Sequence, residues 1–134
     1  MQVAEVTQGE PGPIAQFWTF LREGRFMIQR SRSTGTHVFY PRVMLPGSGE
    51  ADLEWVEASG RGTVYATTVV PRKPERGGDC NLALVDLAEG PRMLSRVAGL
   101  DPWTVEIGLE VKARIERLPE EPEDAQPVVV FYPA

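Results

Sequence analysis

Residues 59–70 read SGRGTVYATTVV, and this stretch decides the fold. From Thr63 onward β-branched and aromatic side chains dominate, the composition of a pleated, half-buried strand. The SGRG glycines fit a bulge at the strand's entry better than a phosphate cradle. Toward the C-terminus, residues 71–78 (PRKPERGG) form a cationic loop, and 81–87 (NLALVDL) and 92–98 (RMLSRVA) flank a Glu89–Gly90 turn as a hairpin. Residues 105–117 have a helix-compatible composition, yet Leu109, Val111, Ala113 and Ile115 alternate strictly with Glu110, Lys112, Arg114 and Glu116. Period 2 selects a strand with one charged face. An acidic loop at 119–127 (PEEPEDAQP) leads to a last apolar strand at 128–132 (VVVFY).

Toward the N-terminus, residues 53–56 (LEWV) read as a short strand after a PGSG turn at 46–49. Residues 25–30 (RFMIQR) and 36–40 (THVFY) are strand-like on either side of SRSTG. Pro13 and Gly24 bracket a short helix on which Ile14, Phe17, Trp18 and Leu21 fall at i, i+3, i+4 and i+7. A helix this short does not persist alone, so its stripe must lie on its own core or on another chain. Residues 1–12 read as a loose polar arm. Five closely spaced, turn-linked strands after residue 52 predict a small closed barrel of OB-fold type. The expected class is mainly β: an N-terminal arm and helix (1–24), a ribbon-like hairpin (25–52) and a five-stranded OB-fold barrel (53–134).

Composition narrows the function. With 14 Lys+Arg against 19 Asp+Glu, the 134-residue chain carries a net charge of −5, which weighs against a partner gripped through its phosphates. One cysteine excludes an internal disulfide and a thiolate metal cage. No apolar run approaches the roughly 18 residues of a spanning helix, and the N-terminus lacks a signal-peptide pattern, so a cytoplasmic protein without a membrane partner is expected. The 13 glycines and 12 prolines suit short strands joined by many turns.

The segment RSRSTGTHVFYPRVMLPGSG, residues 30–49, has the spacing of a zinc ribbon. Were Ser31, Thr34, Leu45 and Ser48 all cysteine, they would form C-x2-C-x10-C-x2-C, with a glycine after each pair. Hydroxyls ligate zinc poorly at neutral pH and Leu45 cannot ligate, so no zinc is expected. Packing of Phe26, Ile28, Val38, Phe39 and Tyr40 must take over.

The order of an aromatic helix, R-S-x-x-T-G, YPR, L-P-x-S-G, LEWVEASGRGTVYATTVV, DLAEGPRMLSRV and EIGLEVKARIE resembles the acyl-CoA-associated family known as domain of unknown function thirty-five. Its members join a rubredoxin-like zinc ribbon to an OB-fold, and the resemblance runs from about residue 14 to 133. It implies an accessory role beside thiolase-like enzymes, in acyltransferase, thiolase or retro-aldol lyase complexes, with an OB-fold able to contact CoA. The expected function is therefore a non-catalytic subunit supporting a thiolase-like acyl-CoA enzyme. The alternatives are a single-stranded nucleic-acid-binding OB-fold, with Tyr65, Trp55 and Tyr132 as stacking residues, or a stand-alone acyl-CoA binder.

Candidate residues follow. Arg72, Lys73 and Arg76, with Arg61 and Arg42 on adjoining turns, are candidate contacts for CoA phosphates, to which Arg offers paired donors. Phe17, Trp18 and Phe20 are candidate partner contacts. Cys80 has no sequence-adjacent base, and the sole histidine, His37, falls in the ribbon, so no nucleophile is assigned. No pair of carboxylates stands out for acid–base work, and no tightly bound cofactor is expected.

Overall fold

The computed structural model describes residues 12–43, 52–118, 121–122 and 124–134. The chain divides after Ala58 into two units, each with its own sheet.

In the first unit α1 (Pro13–Arg22) starts with Pro13 where a missing N–H costs nothing. It stops before Gly24, whose φ of 78° is the left-handed conformation that ends helices. A three-stranded antiparallel sheet follows, in the order β2-β1-β3, from β1 (Met27–Ser31), β2 (His37–Val38) and β3 (Leu53–Glu57). Phe17 and Leu21 of the helical stripe are buried, as are Phe26, Met27, Ile28 and Val38. Phe17 meets Phe26 and Phe39 edge-on, at centroid distances of 6.4 and 5.4 Å. Tyr40, expected in this packing, is instead exposed.

Strand β3, read in the sequence as heading the barrel segment, pairs with β1 from Met27↔Glu57 to Ser31↔Leu53. Side-chain matching accounts for that choice. Arg30 faces Glu54 and donates through Nη2 to its carboxylate at 2.6 Å. Phe20 packs on Trp55 at 5.2 Å, and the Trp55 indole N–H donates to Gln16 at 2.8 Å.

The second unit is a five-stranded antiparallel sheet in the order β6-β5-β4-β7-β8. Its strands are β4 (Arg61–Val70), β5 (Cys80–Leu87), β6 (Arg92–Ser95), β7 (Glu110–Glu116) and β8 (Val128–Pro133). It closes where Val97 bridges Phe131 in parallel, with Ala98 N–H donating to Phe131 O at 2.8 Å and Phe131 N–H to Arg96 O at 3.0 Å. This is the OB-fold barrel that the strand spacing predicts. The alternation along β7 also holds: Val111 is buried, while Glu110, Lys112 and Arg114 face solvent. The strand starts only at Glu110, because Gly108 at φ 93° breaks the extended run before it.

The SGRG glycines serve backbone geometry. Gly60 adopts φ 82°, and a Cβ on Gly62 would lie 2.6 Å from Val85 Cγ1 and 3.0 Å from the Asp86 carbonyl. The bulge itself falls further along β4, between Val64 and Ala66. Among the described residues no helix is long and apolar enough to cross a membrane.

One buried amide braces the closure. Asn81 Nδ2 donates to Thr67 Oγ1 at 2.7 Å and to Thr68 O at 3.2 Å, and its Oδ1 accepts the Val97 N–H at 2.9 Å. Asn81→Ala strands the buried Val97 N–H and is expected to cost about 1–3 kcal/mol. Urea titration of the barrel signal measures it, as a lower midpoint at unchanged slope.

Candidate functional site

The loop joining β4 to β5 carries the cationic cluster. A 3₁₀ turn at Pro74–Arg76 followed by Gly77 at φ 97° folds it back, and Pro71, Arg72, Lys73 and Arg76 line an open depression of about 520 Å³. The structure thus gathers three of the five predicted cations. Arg61 opens β4, where its carbonyl accepts the Ala88 N–H at 2.9 Å, and is not among the lining residues. Arg42 belongs to the first unit, its backbone held by the buried Gln29, which accepts its N–H at 2.6 Å and donates to its carbonyl at 2.7 Å.

Sequence reasoning missed Trp103. It sits on the capped 3₁₀ turn Pro102–Thr104, where Asp101 accepts its backbone N–H at 2.9 Å, and it is 67% exposed. One carboxylate ties this turn to the cationic loop: Asp79 Oδ1 accepts the Arg72 N–H and Oδ2 the Trp103 indole N–H, both at 3.1 Å. The available signal was local, since Asp-Pro-Trp is a capped-turn sequence that keeps its tryptophan off the strands. Guanidinium and ammonium donors beside an exposed aromatic face suit an anion with a planar or apolar part.

Of the aromatic partner candidates, Phe17 is buried and Phe20 is engaged with Trp55 and with the Arg25 guanidinium, 5.2 Å above its ring. Trp18, 44% exposed, forms with exposed Ile14 an outward ridge on α1. The barrel contributes an outward face from β4, β5 and β6, with Tyr65, Leu82 and Leu94 exposed.

The nucleic-acid stacking candidates are otherwise committed. Arg92 covers Tyr65 at 3.4 Å while donating to Asp86 at 2.6 Å. Tyr132 donates its hydroxyl to Glu116 at 2.5 Å beneath Arg114. Trp55 belongs to the first unit. Cys80 opens β5 opposite Val70, and His37 lies in β2 opposite Arg30. Ser59 N–H donates to Glu89 Oε2 at 2.6 Å, so the SGRG and EGPR motifs mate as structure.

At the ribbon, Leu45 and Ser48 lie outside the described residues. Ser31, fully buried, accepts the Thr34 N–H on Oγ at 3.3 Å and donates to Asp52 Oδ1 at 3.1 Å. Ser33 N–H donates to Asp52 Oδ2 at 2.8 Å. A neutral hydroxyl occupied in this way does not fit a zinc ligand. Among the described residues no group of three His, Cys, Asp or Glu side chains converges.

Hydrogen bonds from Ser33, with a smaller one from Ser31, hold the Asp52 carboxyl below its ordinary 3.8. The Arg30 hydrogen bond, reinforced by the charges of Arg30 and Arg32, holds Glu54 below its ordinary 4.5. Depressed values mean stability that is full above the unfolded pKa and lost as pH falls through the folded one. Thermal melts followed by Trp fluorescence should therefore be flat from about pH 7 to 5 and fall below about pH 4. D52N/E54Q should flatten that acid limb.

Comparison with known proteins agrees with this architecture. Residues 18–54 match the ChsH2 rubredoxin-like zinc ribbon domain, and residues 55–116 match the ChsH2 C-terminal OB-fold domain. A DUF35 domain-containing scaffold protein of Pyrococcus furiosus is 31% identical over 120 residues, covering 87% of this chain and 88% of the relative. The 3-oxo-4,17-pregnadiene-20-carboxyl-CoA hydratase alpha subunit of Mycobacterium tuberculosis is 36% identical over 109 residues, and this match spans 79% of the chain and 34% of that relative. Among solved structures, the Ltp2-ChsH2(DUF35) aldolase superposes with a TM-score of 0.74 at 32% identity, over 89% of this chain and 92% of the other. With ribbon and barrel matched in order and an archaeal relative aligned over nearly its whole length, the chain belongs to the DUF35 family.

Proposed function

We propose that this chain is a non-catalytic accessory subunit that binds and supports a thiolase-like enzyme acting on acyl-CoA. The observation that carries the proposal is its near full-length likeness to the Ltp2-ChsH2(DUF35) aldolase. Within the barrel unit, Ser59 supports it by serving a backbone turn, its N–H donating to Glu89. The α1 ridge of Ile14 and Trp18 and the exposed Leu82 and Leu94 on β5 and β6 offer apolar area to such a partner. Co-expression with a thiolase-like protein of the same genome should give one peak on size exclusion at micromolar concentration, and separate elution refutes the proposal. Within that complex Trp18→Ala is expected to weaken association about tenfold or more, as a buried aromatic anchor does.

CoA contact is proposed at the cationic loop, on the strength of the depression that Arg72, Lys73 and Arg76 share. Calorimetry of the isolated chain with CoA should show binding that weakens roughly tenfold or more in the Arg72/Lys73/Arg76→Ala variant, since charge-assisted bonds contribute about 1.5–3 kcal/mol each. Identical titrations would remove the loop from the site.

A further inference from the structure

The turn at residues 31–36 stands where a zinc ribbon has its first metal-binding knuckle, and all six of its backbone N–H groups are satisfied by the protein itself. Ser31 N–H donates to Thr36 O at 2.8 Å, Arg32 N–H to Asp52 O at 3.2 Å and Gly35 N–H to Ser31 O at 2.8 Å. Ser33 N–H donates to Asp52 Oδ2 at 2.8 Å, Thr34 N–H to Ser31 Oγ at 3.3 Å and Thr36 N–H to Thr34 Oγ1 at 3.2 Å. Thr34 Oγ1 also donates to Thr36 Oγ1 at 3.0 Å, and Gly35 holds the φ of 75° that the reversal requires.

In a metal ribbon the thiolate ligands collect such N–H donors, and the ion fastens turns that are distant in sequence. Here oxygen atoms collect the donors. Two of them, the Asp52 carboxylate and the Asp52 carbonyl, come from the residue just before β3, and the carboxylate reaches back 19 residues to Ser33 and 21 to Ser31. Ser31 is the pivot, fully buried, accepting from Thr34 and donating to Asp52. The Arg30–Glu54 pair, with Arg32 at 3.3 Å from the same carboxylate, continues the seam along β1 and β3.

We infer that Asp52 replaces the metal as the cross-link of this ribbon, fastening the 31–36 turn to the start of β3 so that the unit folds without zinc. Partner docking through α1 is then independent of zinc supply.

The test uses the full chain purified without added metal. Elemental analysis should find less than about a tenth of an equivalent of zinc, and neither EDTA nor one equivalent of zinc should move the melting temperature. In hydrogen exchange followed by NMR, Asp52→Ala should speed the Ser33 and Thr34 amides at least tenfold while Val85 and Val111 in the barrel exchange at the wild-type rate. Asp52→Asn keeps one acceptor oxygen and should fall between the two. Loss of the whole first unit in Asp52→Ala, with the barrel still protected, supports the cross-link equally. Stoichiometric zinc, a melting temperature that falls with EDTA, or Ser33 and Thr34 exchange within twofold of wild type in Asp52→Ala would each overturn the inference.

Discussion

The second unit depends on a single closure. The parallel bridge between Val97 and Phe131 brings β6 beside β8, where the Asn81 carboxamide holds Val97 and the Ser95 hydroxyl donates to the Val129 carbonyl at 2.8 Å. Asn81 is a reader of three segments at once: its amide nitrogen fixes it to β4, its place in β5 is set by the sheet, and its oxygen holds Val97. Two glycines clear the space. Any side chain on Gly62 meets Val85, and one on Gly99 would lie 2.8 Å from the Tyr132 ring. Because closure fixes the ends of β4 and β5 as well as the path from Val97 to β7, the cationic loop and the Trp103 turn can share the Asp79 carboxylate. The candidate ligand surface is thus a by-product of barrel closure, carried on rigid strand ends while its charged tips face water.

What the sequence made legible was whatever rests on local periodicity. The TVYATTVV run is β4, the strict alternation of 109–116 is β7, and the Pro13–Gly24 bracket is α1. Pairing was not legible, because a strand's partner is chosen by side chains far away in sequence. Leu53–Glu57 is as short and as apolar as a barrel strand, and only the meeting of Glu54 with Arg30 and of Trp55 with Phe20 assigns it to β1. The site was legible by half. A cluster of three cations in eight residues announces itself, whereas the carboxylate that aims the loop is one Asp among many acids and its aromatic companion lies 24 residues further on. Asp52 was invisible for the same reason: the spacing of the ribbon points to the four ligand positions, not to the carboxylate that bonds to Ser31 and Ser33.

A ribbon that folds without metal, as inferred for this one, would lack a large stabilising term, since zinc binding in small domains is worth about 10–16 kcal/mol. Hydrogen bonds contribute only about 1 kcal/mol each net, so the clasp around Asp52 specifies the turn without supplying that sum. The remainder has to come from apolar burial, and the first unit shows where. Phe17 and Leu21 of α1 lie buried, with Phe17 edge-on to Phe26 and Phe39, and each such aromatic pair adds about 0.5–1.5 kcal/mol beyond its area. Through Phe17 and Leu21 the helix is part of the first unit's core. The consequence is a division of labour within ten residues: Phe17 and Leu21 are buried in the unit, while Ile14 and Trp18 lie exposed on α1.

Charge decides what kind of ligand the second unit can take. The chain carries −5 overall, yet Arg72, Lys73 and Arg76 stand together on one loop. Screening at physiological salt limits each charge to about 8 Å, so the loop presents a positive field only to what sits directly on it. A strand of nucleic acid would run past that patch and meet exposed acids beyond it, among them Asp79, Asp101 and Glu106. It would also find Tyr65 and Tyr132 already capped by arginines. A compact ligand with its phosphates gathered at one end, as proposed for CoA, would meet Arg72, Lys73 and Arg76 with the exposed face of Trp103 tethered beside them through Asp79. On the proposed reading, a surface with so little positive area suits a small anion better than a polyanion.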